Sequence, residues 1–257
     1  MTLPVRRDWP LILAYHSVSD RRRDSLAVSP AAFERQIAWL ARRGYRSTTL
    51  AALCAGAASP AERLAIVTFD DGYEDNYRLA VPILERHSFR ATFFVVSDYV
   101  GSDRLLPADR RRVADGADPS PYGLLDWEQL RKMAASGFEI GSHSCTHPPA
   151  LRALPRERCW EEVARSRADL ERQLGRPVLS FCYPRGDLDE AVARLVEEAG
   201  YACAVVTPPR WGIPLGRFAL RRMGVYRSNS QLAFRLKTTA LVRRHFESLQ
   251  RLRGRPR

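Results

Sequence analysis

The stretch AIVTFDDG, residues 65–72, runs from an apolar strand straight into two adjacent carboxylates and a glycine. An unbroken, β-rich apolar run bounded by a turn signal reads as a strand buried on both faces. Asp70 and Asp71 then repel each other where water is becoming scarce. Either the strand has reached the surface at Asp70, or a cation is meant to sit beside the pair.

The same kind of run recurs along the chain. Strands are predicted at Leu11–Tyr15, Tyr45–Thr48, Ala65–Phe69, Ala91–Val96, Phe138–Ser142, Val178–Tyr183, Tyr201–Val206 and Phe218–Val225. Helical patterns fall between most of them. One covers about Pro30 to Arg43, with Ser29 as N-cap, Phe33, Ile37 and Leu40 at helical spacing, and Gly44 as the stop. A second runs from Trp127 to Ser136 behind an Asp126/Gln129 capping box. The others span about Pro155 to Leu174 and Leu188 to Ala199. Strand-then-helix repetition with near-continuous apolar strands means a parallel sheet covered by helices. The fold class is α/β, and seven or eight such strands fit a closed or nearly closed barrel, with an open doubly wound sheet as the alternative. No GxGxxG or GxxxxGK[ST] follows a strand, so nucleotide binding has no support. The polar stretch from Gly101 to Gly123, with Pro107, Pro119 and Pro121, reads as a lid or a disordered insertion.

Titratable residues collect where the predicted strands end. His16 follows the first strand and Asp70-Asp71 the third. His143 and His147, in Ser142-His143-Ser144-Cys145-Thr146-His147-Pro148, follow the fifth, and Tyr183-Pro184-Arg185-Gly186 ends the sixth. In an α/β barrel the loops after the strands converge on one face, where active sites are built. Two histidines at i, i+4 in a turn or first helical turn can face one metal ion. With one of the aspartates they make a His₂Asp set that leaves a coordination position open. The other aspartate is then free to act as general base on water activated by the ion. Adjacent strand residues point to opposite faces, so the two aspartates can share one site only if the chain turns at Gly72. Directly adjacent carboxylates do not suit a glycosidase pair, whose carboxyl groups stand about 5–9 Å apart across a sugar.

Thr68-Phe69-Asp70-Asp71-Gly72 together with the Ser142–Pro148 segment resembles the NodB-homology polysaccharide deacetylases, the family-four carbohydrate esterases. The resemblance covers about Leu11 to Val225 and implies a distorted (β/α)7-8 barrel that removes acetyl groups from N-acetylated sugars with a divalent metal. It implies Asp70 as catalytic base and Asp71, His143 and His147 as metal ligands. Zinc is the expected ion, with cobalt, nickel or iron as alternatives that the ligand set alone does not separate. The loop Phe181-Cys182-Tyr183-Pro184-Arg185-Gly186 is similar to a further family motif, and residues Tyr183, Pro184, Arg185 and Gly186 are expected to line substrate. The Arg185 N–H is expected to face the oxyanion. Where many members carry a base-tethering arginine in this motif, this chain has Cys182. Arg222, on a late strand, is a candidate replacement, with an ordinary surface arginine as the alternative reading. The histidine that acts as general acid near the C-terminus of typical members has no counterpart at a late strand end, and His245 lies in a basic terminal segment. The opening Ile12-Leu13-Ala14-Tyr15-His16-Ser17-Val18 instead resembles the permuted poly-β-1,6-N-acetylglucosamine deacetylases, which implies His16 as the acid.

Composition bounds the rest. With 257 residues and 45% hydrophobic content the chain can bury a sizeable core. The expected division is a barrel at residues 1–228 and a basic C-terminal helix and tail at 229–257. No apolar run approaches the roughly 20 residues of a membrane-spanning helix. The net charge of +12 admits an anionic partner or a solvated arginine-rich surface. The basic residues are scattered without interleaved aromatics, so no nucleic acid is expected. From Arg243 to Arg257 there are six arginines and one glutamate, an end expected to be disordered. Leu232 to Leu252 could form a basic amphipathic helix on a membrane face or a terminal helix packed on the domain. The five cysteines form no CxxC pair and are expected to be buried and reduced. Because Leu11–Tyr15 reads as a strand and not as the core of a signal peptide, the expected location is the cytoplasm; members of the resembled family are, however, often exported. The expected partner is an N-acetylated glycan or glycolipid. A barrel that binds sugar without turning it over, or a membrane-surface protein of a glycan assembly pathway, are the alternatives.

Overall fold

The computed structural model describes residues 10–56, 63–116, 118–207, 216–239 and 242. The chain opens with β1 (Leu11–Tyr15), then a short parallel pair, β2 (Ser17–Val18) and β3 (Ala27–Val28). Helix α1 (Pro30–Arg42) starts at Ser29, whose hydroxyl accepts the Ala32 N–H. There follow β4 (Arg46–Ser47), α2 (Leu50–Cys54), β5 (Leu64–Phe69), α3 (Val81–Arg86) and β6 (Ala91–Val95). The next elements are α4 (Pro107–Ala114), α5 (Trp127–Ala135) behind the expected capping box, β7 (Glu139–Ser142), α6 (Arg156–Trp160) and α7 (Ser166–Leu174). Last come β8 (Ser180–Cys182), α8 (Glu190–Glu198), β9 (Cys203–Val206), β10 (Leu220–Arg221), β11 (Met223–Gly224) and α9 (Gln231–Lys237).

The main sheet is parallel throughout, in the order β10-β9-β8-β7-β6-β5-β1-β11, with β4 added beside the start of β5. β10 pairs with β9 while β11 pairs with β1, and only Arg222 separates β10 from β11. The two ends of the sheet therefore meet at one residue, and the sheet curls into a nearly closed barrel. The open doubly wound alternative is excluded by this order. The expected strand Phe218–Val225 is thus two short pieces, because its first half follows one neighbour and its second half the other.

Side chains alternate across each strand. Leu11, Leu13, Tyr15, Ala65, Val67, Phe69, Phe93 and Val95 join the core that also holds Phe33, Ile37 and Leu40 of α1, so this parity faces the helices. There Phe69 stacks on Phe93 at 4.8 Å, and Tyr15 on Phe69 at 5.6 Å. Ile12, Ile66, Phe94, Cys182, Cys203, Val205 and Leu220 form a second cluster, the barrel interior, joined by Leu50 and Cys54 of α2. The Leu50 N–H donates to Thr92 Oγ1 and the Ala51 N–H to Glu139, both near the strand starts, so α2 plugs that end. At the opposite end the strands run out into the loops that follow them. By parity, His16, Asp70, His143 and Arg222 point into that end.

Two expectations change, and a third is covered in part. The Gly101–Gly123 stretch is neither a loose lid nor structureless. It carries α4, and Tyr73, Val96, Tyr99, Leu106 and Tyr122 bury a small core beneath it. Arg22, with 1% exposure, sits between the rings of Tyr73 and Tyr122, at 4.0 and 4.5 Å from their centroids. It pairs with Asp24 at 2.8 Å and lies 3.7 Å from Asp109 of α4. Next, the helix expected over Pro155 to Leu174 contains a wider π turn at Glu161–Arg165 between α6 and α7. Finally, of the helix considered over Leu232 to Leu252, α9 covers the start and reaches a turn after Lys237, and all but Val242 of the stretch from residue 240 lies outside the described residues. Phe234 of α9 packs edge-on against Trp39 of α1 at 6.1 Å. The readings placed on Arg243–Arg257, on His245 and on the residues before Pro10 lie outside the described residues. All five cysteines are buried and none is in a disulfide. Among the described residues no helix is long and apolar enough to cross a membrane.

Candidate active site and metal centre

Register brings the first two groups together. Tyr15 pairs with Phe69 across β1 and β5, so the next residues, His16 and Asp70, lie side by side. The Asp70 N–H donates to the Tyr15 carbonyl at 3.0 Å, and His16 Nε2 stands 3.9 Å from Asp70 Oδ2. The backbone of His16 is held by Asn76, whose side-chain amide donates to the His16 carbonyl at 2.9 Å. Asn76 begins a π turn, Asn76–Ala80, that precedes α3. His16 Nδ1 is buried without a hydrogen-bond partner among the described residues.

The turn that separates the two aspartates starts earlier than expected. Asp71 itself is left-handed, at φ 73°, and Gly72 follows at φ 73°. This double reversal swings the Asp71 carboxylate back toward the face that Asp70 already occupies. A side chain is strained in this backbone conformation, though aspartate is among those that tolerate it. A Cβ at position 72 would meet Val95 Cγ1 at 3.0 Å, so glycine is needed there for space as well as for φ.

Asp71 Oδ1 lies 3.6 Å from His143 Nε2 and 3.6 Å from His147 Nε2. The ligand atoms of the three residues all fall within 4.8 Å of one another. His143 and His147 are not on a helical turn. They lie on a loop with Ser144 at φ 67° and His147 at φ 56°. Glu162 fixes this loop from the π turn of Glu161–Arg165, accepting the Thr146 N–H at 2.8 Å and the Thr146 hydroxyl at 2.6 Å. Ser144 Oγ accepts the His147 N–H at 3.1 Å.

The donor set fits a divalent cation. His143 Nδ1 is 2.7 Å from the Cys182 carbonyl, an acceptor, so Nδ1 carries the hydrogen and Nε2 keeps its lone pair toward Asp71. Burial lowers His143 to about 4, so the imidazole is neutral, the form that binds a metal. Burial pushes the Asp71 carboxyl up, but the neighbouring imidazoles, His147 first, outweigh this and bring it below its ordinary value. A carboxylate and two imidazoles in one cluster are ligands of the zinc type with room for a further group. Asp70, His143 and Cys182 form a second, overlapping cluster, but its thiol is pushed well up by burial and its carboxylate is already engaged elsewhere.

That engagement is with Arg222. Arg222 Nη1 donates to Asp70 Oδ1 and Nη2 to Asp70 Oδ2, both at 2.6 Å. Asp70 is 4% exposed and Arg222 2%. Burial would raise the Asp70 carboxyl, but the guanidinium overrides this and holds it well below the usual carboxylate range. The contact expected of Arg222 is therefore present, and Cys182 stands beside it, with Arg222 Nη2 donating to Cys182 Sγ at 3.1 Å. A small side chain at position 182 leaves room for an arginine that arrives from another strand.

The loop after β8 is brought to the site only in part. Arg185 is left-handed at φ 57° and its side chain is exposed. Pro184 and Gly186 are buried. The Tyr183 ring instead belongs to the helix-facing core, edge-on to Phe181 at 5.3 Å, and its hydroxyl donates to the Phe218 carbonyl at 2.9 Å. Glu162, Asn76, Thr68 and Thr207 escaped the sequence reading. Thr68 and Thr207 share the interior parity of Ile66 and Val205, which is the signal that could have found them. Glu162 and Asn76 arrive through π turns, which have no simple sequence signature.

The family described as Polysaccharide deacetylase matches residues 57–204. Among curated proteins, the chain is 30% identical over 227 residues to YxkH of Bacillus subtilis, named as a polysaccharide deacetylase; the match covers 87% of this chain and 74% of that protein. It is 29% identical over 154 residues to the poly-β-1,6-N-acetyl-D-glucosamine N-deacetylase of Escherichia coli, covering 56% of this chain but only 22% of that protein. Among solved structures, IcaB from Ammonifex degensii superposes with a TM-score of 0.71 at 25% identity, covering 88% of this chain and 93% of that one.

Proposed function

The chain belongs to the polysaccharide deacetylase family and is a hydrolase of N-acetylated sugars; from that premise we propose how its residues divide the work. Asp71, His143 and His147 hold one divalent ion, for which zinc is proposed, with cobalt, nickel or iron as substitutes. When bound, the ion supplies Lewis acidity to the amide carbonyl and to the attacking water. Asp70 accepts a proton from that water at its carboxylate. Arg222 keeps the carboxylate ionised and in one plane. His16 Nε2 donates a proton to the departing sugar nitrogen, so that N-acetyl sugar plus water yields free amine plus acetate. The Arg185 N–H faces the developing oxyanion. General acid–base help of about 10²–10⁴-fold and oxyanion stabilisation of about 10²–10³-fold are the contributions asked of these groups.

The observation that carries this reading is the division of the two adjacent aspartates. Asp71 is turned to two imidazoles at 3.6 Å, and Asp70 is clamped by Arg222 at 2.6 Å beside His16. Arg222 supplies a partner for Asp70 although position 182 carries no arginine, which supports the catalytic reading over a barrel that only binds sugar. The proposed substrate is a polymer or glycolipid of N-acetylglucosamine, and the names of the Escherichia coli relative and of the Bradyrhizobium chitooligosaccharide deacetylase support the class. Acetate release from poly-β-1,6-N-acetylglucosamine and from chito-oligomers tests the reading. Metal-loaded protein should release acetate from one of them, and Asp70→Asn protein with its metal intact should not. Asp70→Asn turnover near the normal rate would contradict the assignment of the base.

A peripheral contact with an anionic lipid surface is proposed as the second partner. Leu232 and Leu236 on α9 are 65% and 52% exposed, just ahead of the arginine-rich terminus. Co-sedimentation with anionic vesicles should fall when residues 243–257 are removed; unchanged sedimentation would reject the contact.

A further inference from the structure

Arg222 offers five N–H donors from a rigid planar group, and burial makes each unpaired one costly. All five have acceptors. Nη1 donates to Asp70 Oδ1 at 2.6 Å and to Thr68 Oγ1 at 2.9 Å. Nη2 donates to Asp70 Oδ2 at 2.6 Å and to Cys182 Sγ at 3.1 Å. Nε donates to Thr207 Oγ1 at 2.8 Å. Two bonds thus present the Asp70 carboxylate, and three others decide the plane in which it is presented.

Those three acceptors come from three different strand ends, after β9, within β5 and within β8. Thr68 is committed as an acceptor because its own hydroxyl proton goes to the Leu13 carbonyl at 2.8 Å. Arg222 itself sits at the break between β10 and β11, its backbone N–H on the Val206 carbonyl at 3.1 Å. The backbone therefore anchors it to β9, beside Thr207. Thr207 holds the inner end of the guanidinium, at Nε, where loss of an acceptor frees the plane to rotate. A bidentate fork tolerates little rotation, because both of its bonds are in the plane.

We propose that Thr207 is a positioning residue for the deacetylation reaction: its hydroxyl holds Arg222 Nε and so fixes the plane of the Asp70 carboxylate. The inference rests on Asp70 as the general base, and its test separates the two. Thr207→Val removes the acceptor at nearly constant shape, and Thr207→Ser keeps it. Zinc content, kcat and KM for acetate release, and the Arg222 Nε–H resonance of ¹⁵N-labelled protein are measured for each, with Arg222→Lys assigning the resonance. Thr207→Val should keep its zinc and its KM, lose about tenfold or more in kcat, and show a shifted, faster-exchanging Nε–H resonance. Thr207→Ser should stay within about twofold of the parent in kcat, with the resonance protected. The proposal is overturned if Thr207→Val leaves kcat and resonance unchanged, or if Thr207→Ser loses as much as Thr207→Val. Should the parent release no acetate, the assignment of function fails, and the resonance alone decides: an unaltered Nε–H in Thr207→Val overturns the role of Thr207.

Discussion

Arg222 and Asp70 are 152 positions apart in sequence and share two hydrogen bonds of 2.6 Å in the interior of the barrel mouth. The pair exists because β10 and β11 close the barrel beside β1, which in turn places β5 one strand away. Removing one partner leaves an uncompensated buried charge. Arg222→Ala should therefore cost about 3–5 kcal/mol at neutral pH. The sign with pH follows from Asp70, whose folded-state carboxyl is depressed by the guanidinium. A depressed carboxyl contributes stability that is present above the ordinary carboxylate value near 4 and is lost as pH falls below it. In metal-free protein, denaturant titrations should show the gap between parent and Arg222→Ala narrowing below about pH 4. A gap independent of pH would mean that the pair is not the cause.

The two histidines are not equivalent. His143 is 3% exposed and anchored at Nδ1 to the Cys182 carbonyl, whereas the His147 side chain is 15% exposed with its backbone on a strained loop. Both His143→Ala and His147→Ala should lose the metal, read as bound zinc after dialysis. His143→Ala should also lower stability by about 1–3 kcal/mol more, because it orphans a buried carbonyl and leaves a void. Equal stability of the two variants would contradict the anchoring role of the Cys182 carbonyl.

Gly72→Ala tests the reversal that parts the aspartates. The new Cβ meets Val95 at 3.0 Å and forces a side chain to φ 73°. A destabilisation of about 1–3 kcal/mol is expected, with weakened metal uptake because Asp71 is displaced. Unchanged metal affinity would show that the loop can re-form around a Cβ.

Arg22→Met tests the anchoring of α4. The substitution leaves Asp24 and Asp109 without their buried cation between Tyr73 and Tyr122. Amide exchange across residues 107–114 should speed up strongly, while exchange in β5 and β6 stays slow. Uniform acceleration over the whole barrel would instead point to a global loss of stability.

Much of the architecture was legible because strand ends advertise themselves. Apolar runs that stop at a carboxylate or a histidine mark the free end of a barrel, and Leu11–Tyr15 and Leu64–Phe69 behave in that way. The tether at Arg222 was legible only as a candidate, since nothing local tells an arginine between two short strands from a surface one. The polar segment that contains α4 looked loose because its contacts, to Arg22 and Tyr73, are distant in sequence. The split of Pro155–Leu174 by a π turn was hidden because the extra residue serves Thr146, not the helix itself. Thr207 could be reached only by carrying the inward parity of Val205 two residues further.

The central claim is that one ion sits among Asp71, His143 and His147 while Asp70 stays outside its coordination. Crystals grown with zinc and measured on both sides of the zinc absorption edge address this directly. The account predicts one anomalous peak within about 2.0–2.2 Å of Asp71 Oδ1, His143 Nε2 and His147 Nε2, with the Asp70–Arg222 fork intact. A peak shared by Asp70, His143 and Cys182, or none near residues 71, 143 and 147, would contradict it.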